Sequence, residues 1–139
     1  MAQKFLVITG ASRGIGRATA ELFLAADYQV INISRRDPHL EGVRHISADL
    51  AVIGWAEAVA DKLKHWLVAA SEIIIIHSAG LLLKDNIETV SSEDLHRVMQ
   101  VNVIAPAELN QLILPSMAVG SAIIYVGSTL SEKAVANSC

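Results

Sequence analysis

Short runs of consecutive apolar residues punctuate the chain. Phe5-Leu6-Val7-Ile8, Val30-Ile31-Asn32-Ile33, Ile73–Ile76 and Ala122–Val126 are the clearest, and Val43–Ile46 is a weaker one. None alternates with polar residues, as a strand with one wet face would. Continuous runs of this length, rich in β-branched residues, predict strands covered on both faces. Between them the apolar spacing changes to three and four residues. Ile15, Ala18, Leu22, Phe23 and Ala26 form one such set. Val52, Trp55, Ala56, Val59, Leu63 and Trp66 form a second. A third helix is expected to open at Ser91-Ser92-Glu93-Asp94, where a capping serine precedes first-turn carboxylates. It would run through Leu95, Val98, Met99, Asn102 and Val103 to about Leu114, with Pro106 as a kink and Pro115 as the stop. The stretch Arg35–Gly42 is expected to hold a short or irregular crossover helix. The order is β-α-β-β-α-β-α-β, which predicts an α/β fold with a parallel sheet between helix layers.

Composition narrows this picture. The chain has 139 residues, enough for one domain with its own core. Hydrophobic residues make up 53% and charged residues 18%, which excludes a disordered tail. The apolar surplus fits buried strands, or a surface that a partner would cover. A net charge of -3 with no basic stripe leaves no electrostatic footprint for nucleic acid. Apolar runs such as Ile73–Ile76 are far too short to span a bilayer. The start, Met1-Ala2-Gln3-Lys4, shows no signal-peptide pattern, and the single cysteine, Cys139, permits no internal disulfide. A reducing cytoplasm is the expected location, and no metal site is expected.

The strongest chemical signal is Thr9-Gly10-Ala11-Ser12-Arg13-Gly14-Ile15-Gly16, between the first strand and the first helix. Gly10 would allow a tight turn, Gly14 a close approach of backbone to a pyrophosphate, and Gly16 close packing of the helix. The helix start offers free N–H groups and a positive dipole end to phosphates. The spacing G-x-x-x-G-x-G resembles the signature of the short-chain dehydrogenase/reductase family, in its compact single-domain branch. Asp49-Leu50 is similar to that family's adenine-contacting acidic-apolar pair, although Asp49 also reads as a helix N-cap. His77-Ser78-Ala79-Gly80 stands where the family has Asn-Asn-Ala-Gly; Ala79 and Gly80 match and the two asparagines do not. His77 reads as a strand-end hydrogen-bonding residue rather than a base. Leu114-Pro115-Ser116-Met117 resembles the family's Leu-Pro-x-Met. The resemblance covers the whole chain. It implies a doubly wound, Rossmann-like, three-layer α/β/α fold with strand order 3-2-1-4-5.

The resemblance also implies a nicotinamide dinucleotide, held by Gly10, Ser12, Arg13, Gly14, Ile15, Gly16, Ser34, Arg35, Arg36, Asp49, Leu50, Ser78, Ala79 and Gly80. Members that use NAD(H) place an aspartate at the tip of the second strand. Here Ser34 is followed by Arg35 and Arg36, and Arg13, inside the glycine loop, would face the same region. A carboxylate would repel a 2′-phosphate, whereas a guanidinium binds one in bidentate fashion. NADP(H) is therefore the expected cofactor and NAD(H) the second choice. Asp37 is a candidate ion partner for these arginines, and a solvated surface pair is the plainer alternative for Arg35 and Arg36.

The family's chemistry is hydride transfer to or from a small carbonyl or alcohol, served by Ser, Tyr, Lys and Asn. Ser128, after the fifth strand, resembles the substrate-binding serine, or else caps a local turn. Asn102, in Val101-Asn102-Val103, resembles the helix asparagine, or else is a satisfied core residue. No Tyr-x-x-x-Lys is present. Tyr125, Tyr28 and Lys133 lack the required spacing. Residues 1–139 are accordingly expected to be an NADP(H)-binding domain, incomplete at its C-terminus, of a longer enzyme. A homotetramer or homodimer packed through the long helix is implied by the resemblance alone. A dinucleotide-binding or sensor module without redox chemistry is the competing reading.

Overall fold

The computed structural model describes residues 2–133 and 136; Cys139 lies outside them. Among the described residues the strands are β1 (Lys4–Thr9), β2 (Gln29–Ser34), β3 (Val43–Ser47), β4 (Glu72–His77) and β5 (Ala122–Tyr125). They form one sheet in the order β3-β2-β1-β4-β5, with every neighbouring pair parallel. This is the expected order. The sequence turns outward on both sides of β1, and the switch point opens a crevice at the carboxyl ends of β1 and β4.

Side chains alternate across the sheet and build a core on each face. Phe5, Val7, Ile31, Ile33, Ile46, Ile73 and Ile75 point to one side. There they meet Val59, Leu63 and Leu67 of α2 (Trp55–Leu67) and Leu109 and Ile113 of α4 (Ala105–Ile113). Leu6, Ile8, Val30 and Ile76 point to the other side, against α1 (Gly14–Ala25). Three layers result.

Several local expectations need correction. In α1 the buried residues are Gly16 and Ala20, with Phe23 and Leu24 packed beside them. Ile15 and Leu22 are exposed instead, by 67% and 72%. Small residues make this contact because the helix lies close to the sheet, so a search for large apolar residues picks the wrong stripe. Val52 is likewise exposed and precedes α2. The N-cap of α2 is Gly54, not Asp49; the Asp49 carboxylate accepts the Ala51 N–H at 2.9 Å in a local turn. The connection 35–42 carries no helix. Pro38 interrupts it, and His39 and Gly42 have positive φ values of 48° and 87°, which no helix tolerates.

The long helix is a rod in two parts. α3 (Ser92–Met99) starts where expected, with the Ser91 hydroxyl accepting the Asp94 N–H at 3.0 Å. Residues Gln100–Ile104 widen into a π turn before α4. Pro106 at the start of α4 explains the widening: it has no N–H to donate, and its ring would clash with the carbonyl four residues earlier. β5 also departs from expectation. Its apolar residues are not covered on both faces: Ile123, Ile124 and Tyr125 are 38%, 44% and 59% exposed. Among the described residues no helix is long and apolar enough to cross a membrane.

Candidate functional site

A cleft of about 480 Å³ lies at the carboxyl ends of the strands. That volume falls within the ordinary range for small-molecule sites, roughly 300–1,000 Å³. Every residue expected to face a dinucleotide lines it: the glycine loop, Ser34-Arg35-Arg36 after β2, Asp49-Leu50 after β3 and Ser78-Ala79-Gly80 after β4.

The glycine loop is fixed by close contact rather than by side chains. Gly10 has φ of 73°, and a β-carbon there would sit 2.9 Å from the Ala79 backbone. A β-carbon on Gly16 would sit 2.2 Å from the Gly10 carbonyl oxygen. The helix therefore abuts the loop itself, a tighter fit than packing on the strand. At Gly14, with φ of 60°, a β-carbon would meet nothing within 4 Å, so this backbone faces open space. No side chain caps the start of α1, and its first turn holds no acidic residue. N–H groups at that end are left for an incoming anion.

Polar side chains tie this loop to its neighbours. The Thr9 hydroxyl accepts the Ala79 N–H at 3.2 Å, joining β1 to the turn after β4. The Asn32 carbonyl oxygen accepts the Ala11 N–H at 3.0 Å. Near the strand tips the charge is positive. Among the described residues no carboxylate lies within ion-pair distance of Arg13, Arg35 or Arg36. The Asp37 carboxylate engages His39 instead, accepting its backbone N–H at 2.7 Å with the ring Nδ1 at 3.8 Å. Arg97 of α3 also lines the cleft, 3.7 Å from Asp94.

The two residues expected to serve the reaction stand apart from the cleft lining. The Asn102 side chain, in the π turn, clamps Leu81: it accepts the Leu81 N–H at 2.7 Å and donates to its carbonyl at 2.8 Å. Leu81 itself lines the cleft. The Ser128 hydroxyl accepts the Leu130 N–H at 3.1 Å and so caps the turn Thr129–Ser131.

His77 is 4% exposed at the end of β4. Asn110 donates to the Tyr125 hydroxyl at 2.7 Å, which aims its carbonyl oxygen at His77 Nε2, also at 2.7 Å. Nε2 therefore carries the proton and donates. Nδ1 is buried and has no hydrogen-bond partner among the described residues. Burial pushes the imidazole below its ordinary value of 6.5, and the Asn110 bond opposes this in part. As pH falls, the unfolded chain therefore gains the second imidazole proton before the folded one does. The contribution of His77 to stability is full above about pH 6.5 and is lost as pH falls through the depressed value. Denaturant melts between about pH 8 and pH 5 should show stability falling below pH 6.5, and His77→Asn should flatten that slope. An unchanged slope in the variant would assign the effect to other groups. Tyr125 thus serves the sheet. Tyr28 lies at the opposite, amino edge, where its hydroxyl donates to Glu72; that bond, foremost, pushes its pKa above the ordinary 10.0.

Residues 4–139 match the short chain dehydrogenase family. The chain belongs to that family. An L-xylulose reductase from Cavia porcellus is 31% identical to this chain over 147 residues, covering 99% of the chain and 58% of that protein. A blue fluorescent protein from a metagenomic library, solved with NADPH, is 28% identical with a TM-score of 0.81, covering 99% of this chain and 60% of that one. The 4-hydroxyisoleucine dehydrogenase solved with NADH shares the fold at 22% identity and a TM-score of 0.82, covering 98% and 60%. The chain spans 58% to 60% of the length of these proteins.

Some residues that shape the cleft were not singled out in the sequence as site residues. Thr9 and Asn32 are polar residues at buried sheet positions, 3% and 0% exposed, and that polarity is the signal that could have found them. Arg97 and Val101 share one helix face, but spacing alone cannot say that this face borders the cleft. Gln100, 9% exposed, donates to the Leu50 carbonyl at 3.2 Å and braces the turn after β3.

Proposed function

We propose that the chain is the cofactor-holding part of an NADP(H)-dependent oxidoreductase that acts on a small carbonyl or alcohol. One observation carries the reading: a cleft at a sheet switch point is lined by an open glycine loop and by Arg13, Arg35 and Arg36, which have no carboxylate partner among the described residues. In this reading Gly10, Ser12, Gly14, Ile15 and Gly16 cradle the pyrophosphate at the start of α1. Arg35 and Arg36 take the 2′-phosphate, and Ser34 braces the turn that carries them. Asp49 and Leu50 border the adenine, and Ser78, Ala79 and Gly80 form the wall beneath the nicotinamide half. When bound, the dinucleotide would supply a hydride to a carbonyl or, in its oxidised form, accept one from an alcohol. Ser128 positions the substrate oxygen, and Asn102 holds the Leu81 backbone at the mouth of the site. Exposed Leu95, Met99 and Val103, at four-residue steps on the rod, support packing of a second copy against it.

Fluorescence titration of the full-length protein with NADPH and NADH tests this. NADPH is expected to bind at least about tenfold more tightly, because a charge-assisted pair with a phosphate contributes roughly 1.5–3 kcal/mol. Equal affinities would remove the NADP(H) preference, and no binding of either would remove the dinucleotide reading. A binding module without redox chemistry draws on Ser128, which caps its own turn and does not line the cleft. Turnover of NADPH with a carbonyl panel would exclude that alternative.

A further inference from the structure

Asn32 has an amide in the middle of a buried apolar strand, with no exposed surface. It shares one face of the sheet with Ser34 and His45. Its carbonyl oxygen accepts the Ala11 N–H at 3.0 Å, from the loop between β1 and α1. That bond sets the amide's orientation, since the opposite flip would place N–H against N–H. The Nδ2 group then faces the other way and reaches the Ser34 hydroxyl at 2.8 Å and His45 Nδ1 at 3.1 Å. Because Nδ2 has only donors, Ser34 must accept from it. The serine's own proton is thereby directed onward to the Arg36 carbonyl at 2.7 Å. The result is a one-way chain of bonds, from the Ala11 N–H through Asn32 and Ser34 to Arg36.

We propose that Asn32 is a positioning residue that couples the two anion-facing parts of the cleft, the glycine loop and the Arg35-Arg36 turn. The inference rests on the dinucleotide reading of the cleft. It goes beyond that reading by naming what sets the discrimination between a ribose 2′-phosphate and a bare ribose. Asn32 touches neither; it is buried beneath both. Its amide holds the loop at the register where the helix start faces a pyrophosphate, and through Ser34 it fixes the main chain from which Arg35 and Arg36 project. A residue that only filled the core would leave the two cofactors equally affected when it was changed.

The test is a double-mutant cycle on Asn32→Ala and Ser34→Ala, read as dissociation constants of NADPH and NADH for the full-length protein. Ser34→Ala cuts the chain at the strand tip and leaves the Ala11 bond intact. It should weaken NADPH about fivefold while NADH stays within about twofold, as expected for one ordered contact. Asn32→Ala should weaken both cofactors and also narrow the NADPH-to-NADH ratio by the same factor. The double variant should narrow that ratio no further than Asn32→Ala alone. A ratio unchanged in Ser34→Ala overturns the coupling even if Asn32→Ala fails to fold. Independent, multiplying effects on the ratio in the double variant overturn it as well. Failure of the wild-type protein to bind either dinucleotide would instead remove the cofactor reading on which the inference rests.

Discussion

Replacing Gly16 by alanine is expected to destabilise the protein by about 2–4 kcal/mol and to abolish dinucleotide binding. The new β-carbon would stand 2.2 Å from the Gly10 carbonyl oxygen, 2.9 Å from its carbon and 3.1 Å from the Ala11 α-carbon. These are backbone atoms and cannot swing aside. The Gly10 N–H is bonded to the Ile33 carbonyl at 3.3 Å, and the Ala11 N–H to Asn32 at 3.0 Å. Gly10 is also pressed against Ala79. Relief of the clash must therefore move α1 or break a bond on β2. Overpacking of this kind costs roughly 1–3 kcal/mol and occasionally more, and each lost buried bond adds about 1 kcal/mol. The better helix propensity of alanine returns at most about 1 kcal/mol. Gly14→Ala makes the contrast. Nothing lies within 4 Å of its β-carbon, so only the positive φ of 60° opposes it, at roughly 1–2 kcal/mol. That variant should lose more affinity than stability, because its methyl would occupy the open face of the loop. Urea melts and NADPH titrations of the two variants check this. Wild-type stability in Gly16→Ala would show that the helix start is not seated on the loop as described.

The same contacts explain what could be read from the sequence. β1 and β4 were legible because a strand buried on both faces leaves an unbroken apolar run, and β2 because its run is interrupted by Asn32 alone. The glycine loop was legible because Gly10 and Gly16 sit where backbone meets backbone and Gly14 holds a positive φ, positions that favour glycine. The inward stripe of α1 was not. Gly16 and Ala20 make the contact by being small, while the conspicuous Ile15 and Leu22 face outward. The missing crossover helix followed from Pro38 and the positive φ at His39, only the first of which a sequence displays. Most of the cleft lining was legible, since the glycine loop, Ser34-Arg35-Arg36, Asp49-Leu50 and Ser78-Ala79-Gly80 each follow a strand end; Arg97 and Val101, on the helical rod, were not. What joins those members was not. Asn32, Thr9 and Gln100 act through partners twenty-one to seventy positions away in sequence, and that pairing exists only once the sheet register is set.

The second large effect expected is a reversal of cofactor preference in Arg35→Asp. Arg35 is exposed at the tip of β2 and lines the cleft with Ser34 and Arg36. Its guanidinium has no carboxylate partner among the described residues. No existing ion pair must be broken to bind a phosphate, and none is lost when the residue is replaced, so stability should change by less than about 0.5 kcal/mol. Affinity should change far more. A guanidinium–phosphate pair contributes roughly 1.5–3 kcal/mol, and a carboxylate in its place adds repulsion of the same charge. NADPH binding should therefore weaken by about 30-fold or more. NADH carries no 2′-phosphate; the new carboxylate can accept from its ribose hydroxyls, so its affinity should hold or improve a few-fold. Because the site is open to solvent, the wild-type preference should also shrink as salt is raised, and the variant's should not. Paired titrations at low and high ionic strength read all of these at once. If Arg35→Asp leaves the NADPH-to-NADH ratio unchanged, Arg35 is only surface charge, and any reading of the 2′-phosphate falls to Arg13 and Arg36. If the ratio inverts while the melting curve stays in place, the discrimination lies in a side chain that carries no part of the fold. That is the expected arrangement where Asn32 and Ser34, not Arg35, hold the turn together.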